Sequence, residues 1–268
     1  MDNEGGWLGL TGKTCVITGA AGGIGAAICR GLADLGAKVV AIDRDEEGVV
    51  RTAEMVRQSG GESLPITCDI SDPGAVSAAA QTVSSAFGAC DVLVNNAGIL
   101  RPGALEELPL AEWNALFAVN LSGYLICAQA FGRMMLSGSG GSIVHVASTA
   151  ATHPQGLSGA YSATKAGVAM LSRQLAFEWG PRGVRSNIVS PGMIRTPLSE
   201  SFYKAPGVAE KRAAAAPLRR VGLPEDVANA AIFLASPRAA YVTGAEIVVD
   251  GGFAQTLQSY IPRPGYDS

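Results

Sequence analysis

The sequence predicts an α/β fold, a doubly wound domain with a mostly parallel seven-stranded sheet and helices on both faces. Three observations predict it. Seven short runs rich in apolar residues recur along the chain, and most are apolar throughout rather than alternating, as strands covered on both sides require. Segments with helical spacing separate them. No composition break or internal repeat interrupts this alternation, so residues 1–268 are expected to form a single domain, with 253–268 as a C-terminal tail.

The elements follow in order. Lys13 to Thr18 (KTCVIT) is a β-rich run, followed at once by GAAGGIG and a helical segment that stops at Gly36. Ala37 to Asp43 is a second strand ending in an acid, and Asp45 to Gly60 reads as a helix with one charged face. Ser63 to Ile70 is a weaker strand whose Pro65 suits an edge position. Ser71-Asp72-Pro73 starts a helix running to Gly88. Asp91 to Asn95 is the fourth strand. Leu110 to about Leu136 then looks helical, with Asn120 and Gly123 as interior weak points. Ser142 to Val146 is the fifth strand, Ser158 to Gly180 a long helix, and Val184 to Val189 the sixth strand. Residues 193–222 are less regular. Pro224 to Ala235 is a helix after a Pro start, and Glu246 to Asp250 is the last strand.

Composition narrows the function. The 268 residues are 48% hydrophobic and 16% charged, enough for a large core, with a formal net charge of −3. No Lys/Arg run stands out, so neither nucleic acid nor an anionic membrane is expected as a partner. The N-terminus shows no leader pattern and no window approaches 18 apolar residues, so no membrane span is expected. Five scattered cysteines without a CxxC pair read as small buried thiols in a reducing, cytoplasmic setting. Two histidines, His145 and His153, support neither a metal site nor a Ser-His-Asp triad.

Two regions carry chemistry. In the first, Gly19, Gly23 and Gly25 lie between a strand and a helix, where glycine lets backbone approach a pyrophosphate and the helix N-terminus faces the anion. Asp43, 18 residues past Gly25, ends the next strand. An acid there accepts from both ribose hydroxyls of NAD and repels the 2′-phosphate of NADP, although Arg44 beside it favours that phosphate. In the second region Tyr161 and Lys165 are four apart, on one helical face, with Ser148 at the end of the preceding strand. A lysine ammonium beside a phenol favours the phenolate, which makes the tyrosine a usable general acid or base.

Taken together the motifs resemble the short-chain dehydrogenase/reductase family, over about Leu10 to Gly252. Thr18 to Gly25 matches its TGxxxGxG, and Asn95-Asn96-Ala97-Gly98 its NNAG. Asn120, Ser148, Tyr161 and Lys165 match its catalytic four. Pro191-Gly192 with Ile194 and Thr196 matches the segment that touches the nicotinamide. The resemblance implies a Rossmann-type fold and an NAD-dependent oxidoreductase acting on a secondary alcohol or ketone. By that resemblance Tyr161 is the acid/base, Lys165 lowers its pKa and holds the nicotinamide ribose, Ser148 polarises the carbonyl, and Asn120 holds a water linking Lys165 to solvent. Gly19, Gly23, Ile24 and Gly25 form the phosphate turn, Asp43 meets the ribose, Asp69 and Ile70 flank the adenine, and Asn96, Ala97 and Gly98 line the cofactor.

The resemblance also implies a homotetramer built on the helix from Ser158 and its predecessor. Tyr260, Ile261 and Pro262 of the tail are expected on a neighbouring subunit near its active-site mouth. His145 reads as a sheet histidine where relatives often carry Asn, and His153 as a residue of the loop bordering the substrate. Loops 99–104, 149–160 and 193–216 are expected to choose the substrate, the last as a lid with Leu198, Phe202 and Tyr203. Arg101, Arg195 and Lys204 are candidates to meet an anionic group, with solvated charge as the plainer reading. The rival readings are an NADPH-linked 3-oxoacyl carrier-protein reductase and a non-catalytic, NAD-bound sensor or interaction protein. Asp43 weighs against the first and the intact Ser148, Tyr161, Lys165 set against the second.

Overall fold

A computed structural model describes residues 6–257 and 261. Its strands are β1 (Thr14–Thr18), β2 (Lys38–Asp43), β3 (Ser63–Thr67), β4 (Val92–Asn95), β5 (Gly141–Val146), β6 (Val184–Pro191) and β7 (Glu246–Val249). They form one sheet in the order β3-β2-β1-β4-β5-β6-β7, with every pairing parallel. The central strands alternate between two apolar layers. Cys15 and Ile17 of β1 face one core with Val39 and Val94, while Val16 faces the other with Val40 and Leu93. Both faces are therefore buried, which is why these strands read as continuous apolar runs. Pro65 sits on β3, the edge strand, opposite Ala41.

The helices are α1 (Gly23–Ala33), α2 (Glu46–Gln58), α3 (Pro73–Phe87), α4 (Leu110–Phe117), α5 (Gly123–Ser137), α6 (Tyr161–Trp179), α7 (Val208–Ala215) and α8 (Pro224–Ala235). Ile28 and Leu32 of α1 and Val227, Ala231 and Ile232 of α8 fill one layer, and Val76 of α3, Phe131 of α5 and Val168 of α6 the other. Two helix starts are set by aspartate side chains. Asp45 accepts from the Gly48 amide at 3.1 Å at the head of α2, and Asp72 accepts from the Gly74 amide at 2.8 Å ahead of Pro73.

Two expectations about helices are corrected. The single helix expected from Leu110 to Leu136 is interrupted by a wide π turn, Ala118–Ser122, which contains Asn120. The whole run, Leu110–Ser137, is long and apolar enough to cross a membrane by length and mean hydropathy, although no stretch of it is continuously apolar. Its α5 portion instead buries Tyr124, Cys127, Phe131 and Met135 against the sheet. The helix expected from Ser158 begins at Tyr161, because Leu157 and Gly159 have φ of 57° and 58°, outside the helical region.

Candidate active site

A cleft of about 950 Å³ runs along the C-terminal ends of the strands, where β1 and β4 lie side by side and the chain reverses its direction across the sheet. Ligands bind doubly wound sheets at such a switch point. Gly19, Gly23, Ile24, Asp43, Asp69, Ile70, Asn96, Ala97 and Gly98 line one stretch of it. Ser148, Tyr161, Lys165, Pro191, Gly192, Ile194 and Thr196 line the rest. Two expected site residues, Gly25 and Asn120, stand behind the wall.

The glycine turn has room where a side chain would intrude. A Cβ on Gly19 would lie 2.7 Å from Ala97 Cα, and one on Gly25 would lie 2.1 Å from the Gly19 carbonyl oxygen. Gly25 thus sets how closely α1 packs on the turn rather than facing the cleft. Gly22 caps α1 with no side-chain hydrogen bond, and the first turn carries no acid. Its amides are left for an anion, as a dinucleotide pyrophosphate requires. Asp43 Oδ2 accepts from the Ala21 amide at 3.0 Å and Oδ1 from the Asp45 amide at 3.1 Å. These bonds tie the carboxylate to the glycine turn and orient it at the cleft. Ser71 donates from its amide and hydroxyl to Asp69, at 2.9 and 2.7 Å, holding that carboxyl below its usual range. Thr18, at the end of β1, accepts from the Asn96 amide at 3.0 Å and the Ala97 amide at 3.2 Å, locking the segment after β4 beside the turn. This backbone cradle fits a nicotinamide dinucleotide.

At the other stretch, α6 presents Tyr161 in its first turn and Lys165 one turn later. Lys165 is 3% exposed. Its ammonium donates to the Val146 carbonyl at 2.8 Å and to the Tyr124 hydroxyl at 3.4 Å, and lies 5.7 Å from the Tyr161 ring centre. Burial pulls the Lys165 ammonium down to about 7. Burial likewise raises the Tyr161 phenol, opposed by a hydrogen bond with Ser148. The expected lowering of the Tyr161 pKa is therefore outweighed, among the chain's own groups, by desolvation of both partners.

Asn120 is fully buried, and its amide forms a two-way clamp. Oδ1 accepts from the Ile99 amide at 2.9 Å while Nδ2 donates to the Ile99 carbonyl at 2.9 Å and to Thr164 at 3.3 Å. Its side chain fixes the 99–104 loop against α6, and the π turn accommodates this poor helix former. His145 lies in the sheet with Nδ1 3.3 Å from the Asn95 amide nitrogen and its ring stacked on Tyr124, its Nε2 buried without a partner. Burial, then the Lys165 charge, drop it to about 3, so it is neutral. His153 lines the cleft, with Nδ1 2.9 Å from the Thr152 hydroxyl.

All three expected substrate-choosing loops border the cleft. Gly103 and Ser158 pair as an isolated bridge, joining the first to the second. In the third, Thr196 and Pro197 pack over Gly23, and Leu198 and Phe202 line the cleft. Arg101 is paired with Glu112 at 2.6 Å and Arg195 with Glu200 at 2.8 Å, so neither is a free cation. Some lining residues were not singled out by the sequence, among them Arg212 and Gln155, although both fall within the expected substrate loops. Arg212 sits in α7, a helix too short for periodicity to orient, Gln155 in an irregular loop, and Phe253 at the head of the tail. Of the tail residues expected at a neighbouring subunit, Tyr260 and Pro262 lie outside the described residues, and Ile261 is 54% exposed.

Comparison with known proteins agrees with this geometry. Residues 19–254 match the family described as enoyl-(acyl carrier protein) reductase. The chain is 43% identical over 245 residues to D-threitol dehydrogenase of Mycolicibacterium smegmatis, covering 91% of this chain and 94% of the relative. A short-chain type dehydrogenase/reductase from Mycobacterium marinum superposes with a TM-score of 0.86 at 36% identity, covering 91% of this chain and 96% of that one. A gluconate 5-dehydrogenase from Burkholderia cenocepacia, solved with NADP and tartrate, superposes at 0.87 and 34% identity, covering 92% and 96%.

Proposed function

The chain belongs to the short-chain dehydrogenase/reductase family, and from that premise we propose that it is an NAD-dependent dehydrogenase of secondary alcohols, working reversibly on the ketone. The observation that carries the reading is Tyr161, lining one cleft with Ser148 and one helical turn from a buried lysine, on the same cleft as an uncapped glycine turn. Tyr161 takes the hydroxyl proton of the alcohol, and Ser148 hydrogen-bonds the same oxygen. Lys165 supplies the positive charge that favours the phenolate. Its third proton, not engaged by Val146 or Tyr124, is left for the nicotinamide ribose. Asn120 holds the loop that borders this wall. A bound dinucleotide supplies the redox chemistry, accepting the hydride from the carbinol carbon. The amides of the glycine turn, Asp69, Ile70, Asn96, Ala97, Gly98, Pro191, Gly192, Ile194 and Thr196 hold it.

Asp43 supports NAD over NADP, since a carboxylate held at the end of β2 accepts from ribose hydroxyls and repels a 2′-phosphate. The NADP in the gluconate 5-dehydrogenase structure belongs to that protein. The same carboxylate weighs against an NADPH-linked 3-oxoacyl carrier-protein reductase. We assign the polyhydroxy alcohols, after the threitol and gluconate relatives, as the first substrates to assay, and a homotetramer as the working assembly.

The test is Tyr161→Phe assayed with NAD and NADP against a panel of alcohols. Turnover falls by about 10²- to 10⁴-fold while dinucleotide affinity is kept. Wild-type turnover in the variant would remove the acid/base role, whereas dinucleotide binding by the wild type without turnover of any alcohol would favour a non-catalytic binder. Better turnover with NADP would reverse the cofactor assignment.

A further inference from the structure

The charges lining the cleft are unevenly placed. Its acids are Asp43 at the end of β2, Asp45 just beyond it and Asp69 just beyond β3, where Arg44 and Arg51 accompany them. Around Ser148 and Tyr161 no lining residue is acidic. The cations lining that end are Lys165, engaged by Val146 and Tyr124, and Arg212.

Arg212 differs from the other arginines near the lid. Arg195 is held by both oxygens of Glu200, at 2.8 and 3.0 Å, so that pair carries no net charge. Arg212 is half-buried, and among the described residues no carboxylate or carbonyl accepts from it. Two aromatic faces hold it instead, with its guanidinium 5.1 Å from the Phe202 ring centre and 4.9 Å from that of Tyr203. Aromatic faces orient a guanidinium and partly desolvate it without using its hydrogen-bond donors. All five donors stay available, in the fork geometry that matches a carboxylate or phosphate. Phe202 itself lines the cleft, so the pair turns the cation toward the cavity. The Tyr203 hydroxyl is buried with no partner beside it, a further donor without an acceptor.

We propose that Arg212 is an oxyanion anchor of the substrate end, so that the preferred alcohols are hydroxy acids, with a carboxylate on the molecule whose carbinol faces Tyr161. This deepens the dehydrogenase reading and rests on it. The same guanidinium chemistry would also suit a phosphate of the dinucleotide, because Thr196 and Pro197 of the same lid pack over Gly23. The experiment separates the two sources.

The probe pair is a six-carbon aldonate and the alditol of the same length, with wild type, Arg212→Met and Arg212→Lys. Methionine keeps the stem packed on Phe202 and Tyr203 while removing charge and donors. In wild type the aldonate has the higher kcat/KM. Arg212→Met lowers it for the aldonate by about 10- to 100-fold, chiefly through KM, and leaves the alditol nearly unchanged. Arg212→Lys restores part of the loss. Equal losses on both substrates, or no preference in wild type, would overturn the proposal. A loss appearing in the Kd of the dinucleotide instead would assign the anchor to a cofactor phosphate, and equally overturn it. Calorimetric titration of the aldonate into Tyr161→Phe, with and without Arg212→Met, reads binding without turnover. Aldonate binding that needs Arg212 there supports the anchor even if the acid/base assignment to Tyr161 fails.

Discussion

Lys165 is where the stability of this chain and its chemistry conflict. Unfolded, a lysine titrates near its ordinary 10.5, while in the folded chain burial lowers it to about 7. The unfolded state therefore binds more protons between those values, and stability rises with pH across that window. The penalty is complete below about 7 and absent above about 10.5. Lys165→Met should accordingly unfold at a higher temperature than wild type at pH 7, with the gap closing as pH approaches 10, while turnover is lost. A gap that ignores pH would show that the charge carries no such cost. Tyr124 enters through the same lysine. Its hydroxyl donates to the Val146 carbonyl at 3.2 Å, so its lone pairs face the ammonium. The other groups facing Lys165 are Tyr161, the Val146 carbonyl and neutral His145. Tyr124→Phe removes one buried acceptor of the charged form only, which lowers the lysine further. The high-pH limb of the alcohol-oxidation profile, on which the ammonium is lost, should then move to lower pH by about one unit, since a hydrogen bond to a charged group is worth at least about 1.5 kcal/mol. An unmoved profile with lower stability would reduce Tyr124 to packing.

At the scale of elements, the glycine turn and the π turn show what the sequence discloses. The turn was legible because each glycine has a steric reason that its context reveals: strand before, helix after, acid at the end of the next strand. Gly25→Ala tests that reason directly. A Cβ 2.1 Å from the Gly19 carbonyl has backbone to displace, so α1 must move off the turn. Expected is a loss of about 2–4 kcal/mol, read as a fall of several degrees in Tm, together with weaker dinucleotide binding. Unchanged Tm and affinity would mean that the turn relaxes freely. The interruption between α4 and α5 was legible only as weakness, since Asn120 and Gly123 are poor helix formers. Its cause is tertiary: the Asn120 amide must reach the Ile99 backbone, 21 positions away in sequence, and no local pattern encodes that pairing. The late start of α6 has the same character. Leu157 and Gly159 adopt positive φ where that loop meets Gly103.

For the molecule as a whole, the parallel sheet and the convergence of distant motifs on one cleft followed from apolar runs and turn residues, whereas the position of Arg212 within the lid did not. Arg212 lies in an eight-residue helix with no buried residue, so neither periodicity nor core packing announces where it points. The assembly reading also becomes more specific. Of the small residues of α6, Gly167 is turned inward, where a Cβ would meet Leu121 at 2.8 Å, and Ala169 is buried. The outward face of α6 is Ala163, Ala166, Met170 and Phe177, at helical spacing. Phe177 is 84% exposed and Met170 59%, a stripe that is costly to leave in water. If this stripe joins copies of the chain, sedimentation of the wild type gives roughly four times 27.3 kDa. Met170→Lys with Phe177→Glu then lowers the mass while circular dichroism stays the same, because neither side chain is in the core. A wild type that sediments as one chain at micromolar concentration would refute the tetramer, and an undiminished mass in the double variant would move the interface to another face. Because Tyr161 and Lys165 stand at the other end of this helix, loss of the contact should also lower turnover per chain, which the same preparations would reveal.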